Sequence, residues 1–268
     1  MVYIKHFASR ALRFIAFQAA IILIAVGALV LGAIVFPIRA NFFLPFDKLK
    51  ARSSISSGIR AYIRTLEILH LLSVEEKGFD PDVHLDKMVY VSNHQSLLDI
   101  LFFLSRFPKA ACIVKKSLAS FSPYAFLINY ASYIKNVKNF LVVEQAVGEL
   151  KEGNTLIVFP EGTRASKDSE AASGDEYDFQ KGAAAIALRA GVGICPVRIS
   201  YAPLVLRRGR RWYESPGEKC RVVIEYGDPR YFNWNSAEEP LGEASRRVTT
   251  WIKSYYLHSD EAMLVEIS

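Results

Sequence analysis

A long apolar run dominates the first part of the chain. Residues 14–38 contain no charged side chain, and Gln18 is the only clearly polar one among these 25 residues. As a helix, the run would be roughly 37 Å long, which is enough to cross a bilayer. A signal peptide does not fit, since its apolar part is about 7 to 15 residues long and ends at a cleavage site. We therefore predict an apolar membrane helix over residues 14–38.

A second helical pattern lies between residues 55 and 72. Its apolar positions recur at helical spacing and are Ile55, Ile59, Tyr62, Ile63, Leu66 and Leu69. Two interpretations stay open: a second membrane helix that lies in the interface or folds back, and an amphipathic helix packed on the domain. Basic residues flank the apolar run on both sides, Lys48 and Arg52 among them, and they do not fix its orientation. We predict a membrane-anchoring region over residues 1–75 and one domain over residues 76–268.

Beyond residue 80 the pattern alternates between short apolar strands and amphipathic helices. The predicted strands cover residues 88–92, 111–114, 155–159, 194–200 and 220–226. The predicted helices cover residues 97–104, 144–152 and 179–190, and a C-terminal helix opens with a capping box of Ser236 and Glu239. Such alternation is typical of an α/β fold with a mainly parallel sheet covered by helices. We expect residues 165–178 to form a loop or lid.

Charge and cysteine content refine this picture. The net charge is +6, and a basic cluster with two aromatic neighbours suits an anionic headgroup layer; it consists of Arg207, Arg208, Arg210, Arg211, Trp212 and Tyr213. A solvated loop is the alternative, and nucleic acid is not expected because no recognition motif accompanies the cluster. Cys112, Cys195 and Cys220 form no C-x-x-C pair, so we expect neither a disulfide framework nor a metal site. A reducing compartment fits best.

The first candidate for chemistry is the segment from Asn93 to Asp99. A histidine can remove a proton from an alcohol near neutral pH, and a carboxylate on its other nitrogen fixes the tautomer. Two side chains that are five residues apart on one helix point about 140° away from each other. For the two groups to meet, His94 must therefore precede the helix and Asp99 must lie in its first turn. Ser96 as N-cap would place Asp99 there. The alternative is a capping box in which Asp99 only caps Ser96.

The second candidate is the segment from Phe159 to Arg164, which follows a predicted strand. Ligands of α/β proteins bind at the carboxyl ends of such strands. There Arg164 can grip a phosphate with two parallel hydrogen bonds, and Thr163 and backbone amides can add neutral donors. Glu161 can orient Arg164 or accept a substrate hydroxyl. The alternative is a β-turn at Gly162 with a surface ion pair.

These two segments, in this order, resemble the first and third signature blocks of the glycerolipid acyltransferases, and closely those of the 1-acylglycerol-3-phosphate acyltransferases. The resemblance covers residues 85–200. It implies a single acyltransferase domain that transfers an acyl chain from acyl-ACP or acyl-CoA to the sn-2 hydroxyl of 1-acylglycerol-3-phosphate. The product would be phosphatidic acid for phospholipid biosynthesis, and no cofactor is implied beyond the thioester co-substrate.

The resemblance also implies roles for individual residues. His94 would be the general base, Asp99 would orient it, and attack on the thioester would be direct, without an acyl-enzyme. The chain accordingly has no G-x-S-x-G nucleophile motif. Lys115 would stabilise the oxyanion. The implied phosphate-side residues are Glu161, Gly162, Thr163, Arg164 and Lys181, and the implied acyl site is Cys195, Pro196 and Val197.

The roles implied for Lys115, Lys181 and the Cys195–Val197 segment each have a plain structural alternative: solvated lysines, the start of a helix, and a buried strand with a proline.

One departure from the family pattern concerns the second block, where the family usually carries an arginine and this chain has Lys135 and Lys138. A lysine supplies a point charge rather than a planar fork. Ala165 also stands where a serine is common. The acceptor therefore stays open, with a lyso-ornithine lipid or another lysophospholipid as the alternative.

Two further function classes stay open, a catalytically silent lipid-binding membrane protein and a lipid hydrolase. The intact His94, Asp99 and Arg164 disfavour the silent protein. We expect a membrane location, with the catalytic domain on the cytoplasmic face of the inner or plasma membrane. The expected partners are lysophosphatidic acid, acyl carrier protein or a CoA thioester, and membrane lipids, without nucleic acid.

Overall fold

The structure of the chain is a computed structural model that describes residues 12–27, 47–84, 87–120, 124–137, 139–161, 179–207 and 218–266. The strands of these residues form one sheet: β1 Leu72–Lys77, β2 Val89–Ser92, β3 Ala111–Lys115, β4 Ile134–Asn136, β5 Leu156–Val158, β6 Ile194–Ala202 and β7 Cys220–Tyr226. The helices are α1 over residues 12–27, α2 Lys48–Ile68, α3 Asp99–Arg106, α4 Lys116–Ser120, α5 Ala125–Tyr130, α6 Asn139–Lys151, α7 Gly182–Ala190 and α8 Leu241–Glu266.

The direction of the strands divides the sheet into two groups. The strand order is β1-β7-β6-β2-β5-β3-β4, and all neighbours are parallel except β6 and β7. Strands β2 to β6 therefore run in one direction, and β1 and β7 run in the other. We call the edge at which β2 to β6 end the carboxyl edge, and the opposite one the amino edge. The predicted α/β fold with a mainly parallel sheet is confirmed.

Helices cover both faces of the sheet, because successive strand residues point to opposite sides. On one face, Tyr90 packs with side chains of α2 and α3. On the other face, its neighbour Val89 packs with side chains of α6, α7 and α8. The hydroxyl of Tyr256 in α8 donates to the carbonyls of Val91 at 2.8 Å and Val197 at 3.0 Å. This pair of bonds ties α8 to the two central strands.

The sequence pattern does not predict β1 and β4. Strand β1 lies at the margin of the sheet and carries Glu75, Glu76 and Lys77, charges that an edge strand tolerates because one side of it faces solvent. Strand β4 is the other margin and has only three residues. Neither strand shows the apolar run that identifies the buried central strands. The predicted boundary between residues 75 and 76 falls inside β1.

The predicted start of α3 is wrong by two residues. The helix begins at Asp99 with Leu98 as its N-cap residue, instead of at Leu97 with Ser96 as the cap. Ser96 forms an isolated antiparallel bridge with Arg207, and its hydroxyl accepts a hydrogen bond from the Leu98 amide at 3.2 Å. These bonds hold Ser96 in a turn before the helix.

The predicted capping box of Ser236 and Glu239 does not form, and α8 begins only at Leu241. Asn235 closes the preceding turn instead, since its side chain accepts a hydrogen bond from the Ala237 amide at 3.1 Å. The carboxylate of Glu239 pairs with Arg247 at 2.8 Å. The pattern of Ser236 and Glu239 therefore lies in the turn before the helix and does not mark the first turn of α8.

Helix α1 corresponds to the first part of the predicted apolar helix 14–38, whose remainder lies outside the described residues. Its inner side packs on the same core as α2 and α3, through Ala16, Phe17, Ala20 and Ile21. Its outer side exposes large apolar residues, among them Leu12, Ile15 and Leu23. Among the described residues, no helix has both the length and the hydropathy needed to cross a membrane.

Helix α2 packs on the domain, which matches the second interpretation of the amphipathic pattern at residues 55–72. Its buried residues are Ala51, Arg52, Ser56, Ile59 and Leu66. The hydroxyl of Ser56 donates to the carbonyl of Ser105 in α3 at 3.4 Å, and the guanidinium of Arg60 donates to the same carbonyl at 3.0 Å. The helix is thus part of the folded unit that contains the sheet.

A buried ion pair fixes α2 to α6. Arg52 is 1% exposed, and its guanidinium makes two hydrogen bonds to the carboxylate of Glu149, at 2.8 and 2.9 Å. The same guanidinium also donates to the carbonyl of Ala131 at 2.9 Å. Burial raises the pKa of Glu149, but the hydrogen bonds and charge of Arg52 outweigh it, so the pKa lies below its usual value. Arg52, grouped above with the residues flanking the apolar run, is therefore a core residue.

Replacing Arg52 by methionine should lower the free energy of unfolding by about 3–5 kcal/mol, because Glu149 would stay buried without its bidentate partner. Most of this loss should disappear in the double variant Arg52→Met/Glu149→Gln, in which no carboxylate needs compensation. Urea denaturation followed by circular dichroism measures both values. The control is Arg247→Met, which breaks an exposed pair with Glu239 and should cost less than about 1 kcal/mol. Equal losses in both single variants would contradict the assigned role.

Candidate active site

The two candidate segments meet at the carboxyl edge of the sheet. His94 lies two residues after the end of β2, and Phe159 directly follows the end of β5. These strands are parallel neighbours, with Val91 opposite Val158, so their carboxyl ends lie side by side. The fold thus brings together two segments that are far apart in the sequence.

His94 and Asp99 are in direct contact. The Nδ1 atom of His94 lies 2.8 Å from Oδ2 of Asp99. Asp99 is fully buried in the first turn of α3, and His94 lies outside the helix with 19% of its side chain exposed. Because a carboxylate only accepts hydrogen bonds, Nδ1 of a neutral His94 carries the proton and Nε2 has the free lone pair. The geometry therefore provides a proton acceptor at Nε2.

Asp99 also caps the turn that precedes α3. Its Oδ2 atom accepts hydrogen bonds from the amides of Gln95 at 2.7 Å and Ser96 at 2.8 Å. The hydrogen bond from the Ser96 amide to Asp99 is one half of a capping box. The other half would be a bond from the Asp99 amide to the Ser96 hydroxyl, and it is absent because this hydroxyl accepts from the Leu98 amide instead. The dyad and the cap, which the sequence presents as alternatives, occur together on one carboxylate.

Tyr201 is a site residue that the sequence analysis missed. Its hydroxyl donates a hydrogen bond to Oδ1 of Asp99, the carboxylate oxygen that does not face His94. Burial and the negative charge of Asp99 raise the pKa of Tyr201 well above its usual value, so its hydroxyl stays a donor. Tyr201 lies near the end of β6, and the only sequence signal for it is a tyrosine at the carboxyl end of a strand.

Phe159 forms one side of the histidine site. Its ring stacks on the imidazole of His94, with centroids 4.3 Å apart and planes 23° apart. The edge of Phe103 in α3 supports the Phe159 ring, at 6.1 Å between centroids. The imidazole plane is thus fixed by an aromatic wall as well as by Asp99. From the sequence, Phe159 is recognisable only as the last apolar residue of a predicted strand.

Glu161 contacts the same loop from the other side. Its Oε1 accepts a hydrogen bond from the amide of His94 at 3.3 Å. Burial raises the pKa of Glu161 to about 7; the His94 amide opposes this rise and the charge of Asp99 adds to it. Glu161 therefore changes its protonation state near neutral pH, next to the backbone of the candidate base.

The remaining phosphate-side residues are only partly described. Gly162, Thr163 and Arg164 lie outside the described residues. Lys181 precedes α7 with its side chain exposed, and the neighbouring amide of Gln180 donates to the carbonyl of Pro160 at 2.9 Å. The start of α7 therefore lies beside the Phe159–Glu161 segment.

Three further lysines were considered from the sequence. Lys115 ends β3, and Lys135 lies in β4; both side chains are exposed, and these two strands are parallel neighbours. Both residues thus lie at or near the carboxyl edge. Lys138 and the basic cluster from residue 208 onwards lie outside the described residues. The roles assigned to these lysines stay predictions.

The residues of the implied acyl site lie inside the sheet. Cys195, Pro196 and Val197 are buried in β6 and are opposite Tyr90, Val91 and Ser92 of β2. In the described structure they act as core residues of a central strand, and the acyl-site role stays a prediction. Burial raises the pKa of the Cys195 thiol far above its usual value, and raises that of Cys112 and Cys220 to about 12. None of the three thiols is therefore ready to act as a nucleophile.

Comparison with known proteins shows a family similarity for part of the chain. Residues 75–200 match the sequence model of the Acyltransferase family. The chain is similar to this family over these residues. The matched region contains both the His94–Asp99 loop and the Phe159–Glu161 segment, so the family similarity and the site geometry concern the same part of the fold.

Individual relatives have a more specific name. A 1-acyl-sn-glycerol-3-phosphate acyltransferase of Chlamydomonas reinhardtii is 28% identical over 217 residues, which cover 78% of this chain and 61% of that protein. The chloroplastic enzyme LPAT1 of Arabidopsis thaliana, with the same activity in its name, is 31% identical over 58% of this chain and 44% of its own length. The chain thus spans about half the length of these two relatives. The Pseudomonas aeruginosa protein of that name is 24% identical, over 86% of both chains.

A solved structure has the same fold. The 1-acyl-sn-glycerophosphate (LPA) acyltransferase PlsC of Thermotoga maritima superimposes with a TM-score of 0.61, over 92% of this chain and 98% of that one. The two sequences are 24% identical in the superposition. This likeness establishes the α/β architecture of the acyltransferase domain.

The pKa of Glu161 predicts a pH-dependent stability. The folded state holds the Glu161 proton up to about pH 7, whereas the unfolded chain releases it near pH 4.5. Stability should therefore fall as the pH rises between these values. Glu161→Gln should be more stable than the parent chain at pH 8, by on the order of 3 kcal/mol, and equal to it below pH 4.5. Unfolding measured from pH 4 to 8 tests this, with the exposed Glu243→Gln as control. A difference that does not change with pH would contradict the shifted pKa.

Tyr201→Phe should lower the free energy of unfolding by about 1–3 kcal/mol, because Oδ1 of the buried Asp99 would lose its hydroxyl donor. Tyr231→Phe is the matched control: its ring is 63% exposed, and loss of its hydroxyl should change the free energy by less than about 0.5 kcal/mol. Urea denaturation of both variants provides the comparison. Identical stabilities would show that the Tyr201 hydroxyl does not support Asp99.

Proposed function

We propose that the chain is a membrane-associated O-acyltransferase that acts on lysophosphatidic acid. It would transfer an acyl chain from acyl-ACP or acyl-CoA to the sn-2 hydroxyl of 1-acylglycerol-3-phosphate and release phosphatidic acid. The observation that carries this proposal is the 2.8 Å contact between His94 and Asp99 beside the Phe159–Glu161 segment. The names of the relatives support the choice of acceptor.

The proposed reaction begins at Nε2 of His94. Nδ1–H donates to Asp99, so Nε2 removes the proton from the sn-2 hydroxyl while the hydroxyl oxygen attacks the thioester carbonyl carbon. The tetrahedral intermediate then collapses: the new ester C–O bond is kept, the C–S bond breaks, and the leaving sulfur receives the proton from Nε2. His94 is neutral again at the end of the cycle, and one thiol is released for each ester formed.

Residues around the dyad support this direct attack. Asp99 is held by the two loop amides and Tyr201, so it can orient His94 and stabilise the imidazolium. The three buried thiols have raised pKa values, which disfavours a cysteine acyl-enzyme. We further propose Lys115 for the oxyanion. Lys181, Thr163, Arg164 and the backbone at Gly162 would bind the phosphate, and Glu161 would orient Arg164 or accept a substrate hydroxyl. Cys195, Pro196 and Val197 would border the acyl chain.

The outer side of α1 supports association with a membrane. Leu12, Ile15 and Leu23 each expose about three fifths or more of their surface, although large apolar residues are normally covered. We propose that this side is immersed in lipid and that the catalytic domain lies on the cytoplasmic face of the inner or plasma membrane. Such a location would give the enzyme access to a lysolipid that resides in the bilayer.

The decisive experiment is an acceptor panel with purified protein in detergent and one labelled acyl thioester. Lysophosphatidic acid should be acylated, and glycerol-3-phosphate and lyso-ornithine lipid should react much more slowly. His94→Ala should reduce turnover by about 100- to 10,000-fold, because the general base is lost. His84→Ala is the matched control, since His84 lies on a different loop at the amino edge.

Three outcomes would contradict parts of the proposal. Full activity of His94→Ala would exclude the mechanism. Acylation of glycerol-3-phosphate or lyso-ornithine lipid alone would keep acyl transfer and change the acceptor. Release of fatty acid from phosphatidic acid without any thioester would indicate a hydrolase instead.

A further inference from the structure

The loop that carries His94 is attached to β6 and the segment after it, on both sides of the histidine. Before the histidine, the side-chain amide of Asn93 donates to the carbonyl of Ile199 at 2.9 Å, and its oxygen accepts from the amide of Ile199 at 2.8 Å. After the histidine, Ser96 forms its bridge with Arg207, beyond the end of β6. This part of the chain therefore supports the loop at two points.

Tyr201 lies between these two points in the sequence. Strand β6 has nine residues and β2 has only four, so β6 continues past the last pair of the two strands, Ser92 and Val197. Tyr201 is two residues after Ile199, and side chains two residues apart on a strand point to the same face. Both side chains pack on the core that contains α3. The Tyr201 hydroxyl thereby reaches Asp99 in the first turn of this helix.

The two oxygens of the Asp99 carboxylate have different partners. Oδ2 faces the loop and bonds to Nδ1 of His94 and to the amides of Gln95 and Ser96. Within the described part of the chain, the Tyr201 hydroxyl is the one donor to Oδ1. A change at Tyr201 therefore alters the charge on the carboxylate without removing any bond on the histidine side.

The charge of Asp99 affects how readily His94 acts as a base. A nearby negative charge stabilises the imidazolium, whereas only the neutral imidazole can accept a proton from the substrate hydroxyl. A hydroxyl that donates to a carboxylate forms a strong, charge-assisted bond and takes up part of the negative charge. The bond from Tyr201 therefore favours the neutral form of His94, and its loss favours the imidazolium.

Other titratable and charged groups around the dyad come from three parts of the chain. Glu161 follows β5 and has a pKa of about 7, so its charge changes near neutral pH. Cys220 of β7 lies near the Tyr201 hydroxyl, and burial raises the pKa of its thiol to about 12. Arg207, which bridges to Ser96, keeps its charge throughout. Glu161 is therefore the group whose titration has to be separated from that of the dyad.

We propose that Tyr201 is a positioning residue that sets the basicity of His94 through Asp99. This proposal rests on the proposed function and adds a third member to the dyad. Tyr201 contacts the carboxylate from the side opposite to His94, so it acts on the reaction only through Asp99. Its loss should consequently affect kcat and the pH dependence, and leave KM for lysophosphatidic acid unchanged.

The pH–rate profile of Tyr201→Phe tests this role. The acidic limb of kcat/KM should move to higher pH by about 0.5 to 1 pH unit, because the imidazolium would face the full charge of Asp99. On that limb, kcat should fall about 3- to 10-fold. The matched control is Tyr226→Phe, since Tyr226 is a buried tyrosine at the end of β7, at the amino edge. Equal changes in both variants would overturn the proposal.

A substitution of the same shape separates the hydroxyl from general damage to the fold. Replacing Tyr201 by 3-fluorotyrosine keeps the hydroxyl and makes it a stronger donor, because fluorine withdraws electrons from the ring. The acidic limb should then move to lower pH, opposite to Tyr201→Phe. Both shifts should persist in a Glu161→Gln background, in which the neighbouring carboxyl no longer titrates. A limb that stays in place in both Tyr201 variants would contradict the proposed role.

A spectroscopic measurement distinguishes this proposal from the proposed function. With 15N-labelled histidine, the imidazole signal of His94 is identified by its absence in His94→Ala and is followed from pH 4 to 9. The midpoint of its titration should be higher in Tyr201→Phe than in the parent chain, and unchanged in Tyr226→Phe. A parent chain that acylates no acceptor would refute the proposed function, while the titration would still report the coupling. An active parent chain with the same His94 midpoint in Tyr201→Phe would refute the role of Tyr201 alone.

Discussion

A fully buried carboxylate persists only where hydrogen-bond donors surround it, and Asp99 in α3 receives its donors from two other parts of the chain. The loop after β2 provides two amides and the imidazole of His94, α3 provides the backbone position, and β6 provides the Tyr201 hydroxyl. Satisfying this one group therefore positions His94, starts a helix and connects two strands. The orientation of the imidazole follows from these bonds and from the Phe159 ring that covers it.

Two carboxyl groups lie near His94, and their surroundings give them different properties. Asp99 has four donors and no solvent contact, so it serves as a fixed acceptor. Glu161 makes one described bond, to a backbone amide, and has a pKa of about 7. One group is suited to orienting the base, and the other can respond to the pH or to the charge of a bound phosphate. Each of the two sequence segments contains one of these carboxyl groups, but only the fold shows how different their surroundings are.

Local signals predicted the parts of this molecule that local chemistry determines. The central strands are apolar runs, and the segments with His94 and Glu161 carry polar residues just after such runs, so both could be placed at the carboxyl edge. Tyr201 could not, because its role depends on β6 lying next to β2. The stacking of Phe159 on His94 likewise needs β5 beside β2. Ser96 was misassigned as a cap because a pairing with Arg207, 111 positions later by number, competes for it.

Arg52 changes where the folded domain begins. In the sequence, α2 is an apolar stripe after a long apolar run and therefore suggests a helix that is separate from the domain. The guanidinium of Arg52 in this helix nevertheless neutralises Glu149 in the interior. Strand β1, which follows the helix, forms a margin of the sheet. A fragment that began at residue 76 would cut through β1 and leave an acidic group facing an empty place in the core. The shortest unit with an intact interior therefore includes α2, so the predicted anchoring region 1–75 and the predicted domain 76–268 cannot be treated as interchangeable modules.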